Sequence, residues 1–286
     1  MMELNDSTLD HLRAVVDLPD LTGTRYELEG EIGRGGLGVV YAAHDHQLQR
    51  RVAIKVLDST LPPLLLEQEA RVIASLEHPA IVPIYETGTL PDGRVYYAMK
   101  LVAGQRLDRY LHPRLSLSER LRLIERAGEA LAFAHTRGVV HRDLKPRNVM
   151  VGSFGEVYVM DWGVDGVAGT PRFRAPEQAG GAGDADHRSD VYALGALLQF
   201  LLPETAPRPL RAIAAKAMAA RPDARYGGVP ALLLDLQRFQ DGMAVEACPE
   251  TWWQQSRRFA VRNQVLLLLL AAFAAVKFFL FFLRAR

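Results

Sequence analysis

Cysteine is almost absent. The single Cys248 excludes an intramolecular disulfide and a zinc site built from several thiolates, and it suits a reducing compartment. An excess of positive charge is absent from the body as well. Six of the 34 Lys and Arg residues follow Glu250, the last acid, so the chain before position 257 holds 28 basic against 33 acidic residues, a net charge of −5, while the tail carries +6. A slightly acidic body lacks the footprint of a nucleic-acid binder, and no nucleic acid is expected as a partner. The acidic start MMELNDSTLDHLRAVVDLPDL has no apolar core of the signal-peptide kind, and neither internal repeats nor low-complexity blocks interrupt the chain. What is present is ordinary globular material: 286 residues, 49% hydrophobic and 23% charged, enough for a sizeable core.

One stretch departs from that composition. Residues 265–283 read VLLLLLAAFAAVKFFLFFL, nineteen positions of which only Lys277 is polar. As a helix this is about 28 Å long, close to the ~30 Å of a bilayer's hydrocarbon. Fourteen of the positions are Leu, Val or Phe. At roughly −0.4 kcal/mol each they outweigh the roughly +3 kcal/mol of a lysine near the centre. Trp252, Trp253 and Phe259 stand before it among Arg257, Arg258 and Arg262, an interfacial pattern that places the body on the cytosolic side. The sequence thus predicts a single-pass anchor in the cytoplasmic membrane after a juxtamembrane segment, 247–264. With three residues beyond the span, no sensor domain is expected on the far side.

Residues 1–24 read as a loosely helical lead-in. From 26 the pattern predicts strands YELEGEIG, GVVYAAHD and RVAIKVL, a helix LLLEQEARVIASLEH after Pro62 and Pro63, and strands IVPIYETG and RVYYAMKLV. Beyond Gly104, helical spacing dominates over 116–137, 189–202, 209–220 and 229–240. A mainly β lobe (25–102) followed by a mainly α lobe (103–246) is an α+β arrangement.

Several residue patterns carry chemistry. GRGGLG, Gly33 to Gly38, lets a backbone approach phosphates closely, but a strand rather than a helix follows it, so it closes a hairpin and not a dinucleotide-binding βαβ unit. Alone, such a hairpin is an ordinary tight turn. In VAIK, Lys55 sits on the next strand beside that loop. Glu69 shares a helix face with Val72, Ile73 and Leu76, while Glu67 faces solvent with Arg71, so Glu69 points inward and Lys55 is its natural partner. In HRDLKPRN, Asp143 can accept a hydroxyl proton, Lys145 can neutralise a transferring phosphoryl group, and Asn148 can offer a carbonyl oxygen to a metal. Thirteen positions on, Asp161 ends the strand VYVMDWG, where a carboxylate can reach Mg2+.

With the glycine loop, VAIK, HRDLKPRN, DWG and APEQ (Ala175 to Gln178) in this order, residues 26–246 resemble a protein kinase, and specifically the eukaryotic-like serine/threonine kinases of bacteria, in a membrane-anchored subgroup with DWG. The resemblance implies a two-lobed fold of small β-rich N-lobe and helical C-lobe, ATP and Mg2+, and a protein substrate with a Ser or Thr acceptor. It implies catalytic roles for Asp143, Lys145, Lys55 and Glu69, and metal binding by Asn148 and Asp161. ATP is implied to lie against Ile32, Gly33, Gly35, Gly36, Gly38, Val40, Ala53, Lys55 and the gatekeeper Met99, with Lys100 to Val102 as hinge. It further implies a Glu177–Arg225 ion pair, Asp190 bracing the catalytic loop, and a packed, non-catalytic His141.

Two departures stand out. Asp161 to Glu177 spans only seventeen residues, and the six between DWG and Thr170 contain no Ser, Thr or Tyr, so Arg142 lacks the usual phosphorylated partner. Asp165 as a permanent carboxylate and a solvated Arg142 are equal readings. After SDVYALGALLQFLL the chain reaches RAIAAKAMAARPDARY almost at once, without the helix that the family uses for substrate docking. A nucleotide-binding scaffold without phosphotransfer, and a small-molecule kinase, are the alternatives to a protein kinase.

Overall fold

A computed structural model describes residues 18–35, 38–58, 62–162, 171–180, 186–249 and 263–284. The N-lobe is a five-stranded antiparallel sheet of β1 (Tyr26–Gly35), β2 (Gly38–Asp45), β3 (Arg50–Leu57), β4 (Ile84–Thr89) and β5 (Val95–Lys100), in the order β1-β2-β3-β5-β4. The side-chain period of two divides its residues between the two faces. Val52, Ile54 and Val56 join Tyr41, Tyr96 and Ala98 in a small outer cluster. Ala53 and Leu57 join Val95, Tyr97 and Met99 in the main core. Lys55 alternates with the first set and therefore points to the inner face. Helix α1 (Pro63–Ala74) starts on proline at its first position and covers that face with Ala70 and Ile73.

The hinge leads into a three-stranded sheet, β6 (Gly104–Arg106), β7 (Val149–Gly152) and β8 (Val157–Val159). The short α2 (Leu107–Tyr110) follows β6, and the 20-residue α3 (Leu117–Thr136) opens on a reciprocal capping box between Ser116 and Glu119. Helix α4 (His187–Leu201) is buried along most of its length, from Ser189 and Asp190 to Leu201. It packs against α5 (Arg208–Ala217) where Gly195 lets the helices close: a Cβ there would stand 2.5 Å from that of Ala217. Helix α6 (Val229–Gln240) completes the lobe, and α7 (Gln264–Arg284) is a separate 21-residue helix. One core cluster runs from Ala53 in the sheet through Leu131 and Val159 to Leu236, and a parallel bridge of Ile81 to Val159 links the lobes.

The observed elements correct several boundaries. Residues 1–17 lie outside the described set, but 18–24 form turns rather than helix, because Thr22 N–H bonds Asp20 Oδ1 at 2.9 Å and Gly23 takes φ 81°. The fourth strand starts at Ile84 and not at Ile81, since Pro83 can donate nothing to a ladder. Helix α4 starts two residues early, capped by Asp186, whose carboxylate accepts from Arg188 N–H at 2.7 Å. The strands β6 and β7 are not apparent in the sequence pattern. Residues 202–207 alone separate α4 from α5, so no helix stands in the gap where docking helices usually lie. Among the described residues no helix is long and apolar enough to cross a membrane. The side chains of Leu266 and of residues 278–284 in α7 are outside that set. The juxtamembrane aromatics and arginines lie in 250–262, also outside it.

A buried carboxylate fastens the end of the C-lobe. Asp235, fully buried, accepts from Tyr226 OH at 2.8 Å and from the backbone N–H of Glu246 and Ala247 at 2.6 and 3.0 Å. Each such donor left unpaired costs about 1–3 kcal/mol. Asp235→Ala is therefore expected to lower unfolding free energy by about 3 kcal/mol or more, with Asp235→Asn intermediate, in urea titrations followed by circular dichroism. Unchanged midpoints would contradict this role for the node.

Candidate active site

Lys55 is the meeting point of three elements. From β3 its ammonium donates to both carboxylate oxygens of Glu69 on α1, at 2.8 and 3.0 Å, and to Asp161 Oδ1 beyond β8 at 3.1 Å. Lys55 is 5% and Glu69 1% exposed, and Tyr97 on β5 donates its hydroxyl to Glu69 Oε1 at 3.1 Å. Burial acts to neutralise the lysine, yet the charges of Asp161 and Glu69 beside it hold its pKa well above the ordinary value. Burial pushes the Glu69 carboxyl up, against the opposing pull of Lys55. The Lys55 ammonium holds Asp161 below the usual carboxylate range. Asp161 itself, with 52% of its side chain exposed, opens to solvent.

Asp161 sits in a left-handed backbone conformation, φ 57°, that most side chains avoid. Its neighbours impose it. Trp162 is 1% exposed and donates Nε1–H to Val159 O at 3.0 Å, and its ring lies 4.8 Å from that of His141. His141 Nε2 in turn meets Met160 O at 2.9 Å. His141 is thus a packed residue, enclosed between the Trp162 ring and a carbonyl. Arg142 has φ 66° and is held the same way: Asp190, buried in α4, accepts from the N–H of His141 at 2.8 Å and of Arg142 at 2.9 Å. The His135 ring reaches the same Asp190 carboxylate at 2.8 Å. Gln178 Nε2–H bonds Arg142 O at 2.9 Å, tying the APEQ segment to the loop. The reading of Asp165 opposite Arg142 falls on 163–170, outside the described residues.

Within the loop, Lys145 Nζ lies 2.5 Å from Asp143 Oδ2. Asn148 directs its amide N–H to Asp143 O at 2.9 Å and Oδ2 at 3.1 Å. With its nitrogen engaged there, the amide carbonyl of Asn148 is the atom that can face a cation. Asn148 O accepts from Met160 N–H at 2.8 Å, which sets this turn directly beside the strand end that carries Asp161. An amide oxygen and a carboxylate are hard oxygen donors, which fit Mg2+ and not a soft metal.

The roof over these groups is the β1–β2 hairpin, where Gly33 pairs with Val40 and Gly35 with Gly38. A Cβ added to Gly33 or Gly35 would meet nothing within 4 Å, so the backbone borders open space that a phosphate chain can enter. Gly38 is required by its own backbone: φ is 152° and a Cβ would collide with Val56 O. Gly36 lies outside the described residues. Strand register places Val40 opposite Lys55 and Ala53 opposite Met99, with Ile32 half exposed above, a set of apolar surfaces suited to a purine ring. The sites from both lobes therefore line one cleft.

Sequence reasoning missed Tyr97, His135 and Gln178 as supports, and also the contact of the hinge residue Lys100, whose Nζ lies 2.5 Å from Tyr158 OH. The period-two alternation along β5, which puts Tyr97 on the face of Met99, is the signal that identifies Tyr97. Further off, Arg225, with a fully buried side chain, grips Glu177 with two bonds at 2.6 and 2.7 Å.

The chain matches the protein kinase domain family over residues 26–221. It is similar to a probable serine/threonine-protein kinase of Streptomyces coelicolor, 36% identical over 283 residues that cover 80% of this chain and 42% of that protein. It is also similar to serine/threonine-protein kinase PknB of Mycolicibacterium smegmatis, 33% identical over 282 residues (80% and 45% of the two chains). Serine/threonine-protein kinase PknA of Mycobacterium tuberculosis is 42% identical over 194 residues, 60% of this chain and 45% of that protein. The chain spans less than half the length of these relatives.

The electrostatics carry a pH signature. Asp161 has a depressed pKa, so its pairing contributes stability above the ordinary value of 3.8 and loses it as pH falls through the folded value. Lys55 has a raised pKa, so its contribution is complete below 10.5 and is lost only as pH climbs past the folded value. Lys55→Met strands a buried carboxylate and is expected to cost about 3–5 kcal/mol at neutral pH. The deficit should shrink near pH 3, below the raised pKa of the Glu69 carboxyl that the substitution strands. Chemical denaturation of both proteins at the two pH values checks this; a deficit that does not shrink would show that charge pairing is not its source.

Proposed function

Because this chain belongs to the protein kinase family, we propose that it transfers the γ-phosphoryl group of ATP to serine or threonine hydroxyls of proteins, with Mg2+ as its cofactor. The observation that carries the reading is the convergence of Lys55, Glu69 and Asp161 in one charge cluster, with Asp143 and Asn148 on the adjoining loop. Lys55, oriented by Glu69, aligns the phosphates under the glycine hairpin. Asp143 accepts the proton of the acceptor hydroxyl, and Lys145 beside it offsets charge on the phosphoryl group in flight. Asn148 and Asp161 would hold Mg2+, which when bound neutralises the phosphate oxygens. A scaffold without phosphotransfer is disfavoured, since a chain that only bound nucleotide would have no use for Asp143 and its contacts.

We further propose a membrane tether. Its support is the sequence: residues 265–283 hold no polar residue besides Lys277, a run about 28 Å long if wholly helical. The arginines before it favour a kinase domain in the cytosol. Truncation after Pro249 should move the protein from the carbonate-washed membrane pellet to the soluble fraction; a full-length chain already soluble would overturn the tether.

For the chemistry, Asp143→Ala is expected to lower kcat by about 10²–10⁴-fold with the KM for ATP little changed, the effect of losing a general base. Phosphate incorporation by purified full-length chain is the measurement. Incorporation equal to that of the unaltered chain would refute the role of Asp143.

A further inference from the structure

The acceptor side of the cleft carries charges that the phosphoryl chemistry does not use. Arg147 follows Asp143 by four positions and has 69% of its side chain exposed. Arg172 is exposed and Arg174 half-buried, on the segment that precedes Ala175. That segment abuts the catalytic loop: Gln178 Oε1 accepts Ala175 N–H at 3.0 Å while its Nε2–H bonds Arg142 O, the residue before Asp143. Arg172 is positioned rather than loose, its guanidinium 5.9 Å from the ring centres of both Phe173 and Phe200.

Among the described residues, the acids nearby are already engaged. Asp108 is shared between Arg106 at 3.3 Å and Arg147 at 3.5 Å, one carboxylate for two cations. Glu177 belongs to Arg225, and Asp143 faces Lys145. Among the described residues neither Arg172 nor Arg174 has an ion-pair partner. Just beyond Phe200, which Arg172 faces, residues 202–207 form no helix. The described residues thus offer an acceptor three arginines, Arg147 on the loop of Asp143 and Arg172 and Arg174 on the segment that Gln178 ties to that loop.

We propose that Arg147, Arg172 and Arg174 select acceptor segments in which the serine or threonine is flanked by anionic side chains, carboxylate or phosphorylated. This rests on the kinase reading above and deepens it to a substrate class. An anionic lipid surface offers related chemistry, but Arg147 shares a loop with Asp143 and Gln178 ties the Arg172–Arg174 segment to that loop, which favours a polypeptide.

The test uses the full-length chain in detergent with four peptides that share one threonine, flanked by Glu, by phosphoserine, by Gln or by Lys. Exposed pairs are each worth a few-fold at most and are screened by salt. The Glu and phosphoserine peptides should be about tenfold better than the Gln peptide in kcat/KM, mainly through KM, and the advantage should shrink at high salt. Arg172→Gln/Arg174→Gln should remove most of that advantage without lowering turnover of the Gln peptide, and Arg174→Lys should keep it. Equal use of the Glu and Gln peptides, or an advantage that survives the double substitution, would overturn the proposal and leave the kinase reading standing. Loss of binding to phosphatidylglycerol vesicles with unchanged peptide preference would also overturn it, in favour of lipid. Failure to phosphorylate any peptide or itself would instead remove the kinase reading, and this proposal with it.

Discussion

A single buried ammonium organises the molecule. Lys55 is almost without solvent and draws one carboxylate from α1 and another from the strand end of the opposite lobe. A lysine in such a place is tolerable only when paired, and the pairing has geometric consequences. Helix α1 must lie with Glu69 over the inner face of the sheet, and the residues after β8 must present Asp161 to the same point. The apolar contacts then follow that alignment, as one core cluster passes from Ala53 and Tyr97 through Val159 into the helices of the C-lobe.

The floor of the cleft shows where local strain is kept. Arg142 and Asp161 both hold left-handed backbone angles, each costing about 1–3 kcal/mol, and both flank groups proposed to act on phosphate. Neither is unsupported. Asp190 fixes two successive N–H groups of the loop from inside α4, and the His141 and Trp162 rings lock the turn at Asp161. The conformation is therefore dictated by buried neighbours, which keeps the acidic side chains aimed into the cleft.

Much of this was legible in the residue order, because it rests on patterns with few alternatives. Period two along RVAIKVL and the apolar stripe around Glu69 together place a lysine and a glutamate inside the N-lobe. The spacing of HRDLKPRN to Asp161 brings the remaining polar groups to one edge of the C-lobe. What escaped is chiefly long-range and polar. The three residues of β6 carry no period, and their strand exists because β7 pairs with it. Tyr97 and Gln178 act through partners 28 and 36 positions away, which no local window contains. The turn at 18–24 departs from its expected helix because Asp20 and Gly23 offer the backbone a tighter alternative.

The central claim is that Lys55, Glu69 and Asp161 surround one triphosphate site. Isothermal titration of the full-length chain with ATP, in the presence and absence of Mg2+, tests it most directly. Saturable heat at one site per chain, strengthened by Mg2+ and weakened at least tenfold in an Asp161→Asn variant that remains folded, is the predicted result. Absence of heat in the unaltered chain, or equal affinity in the variant with Mg2+ present, would contradict it.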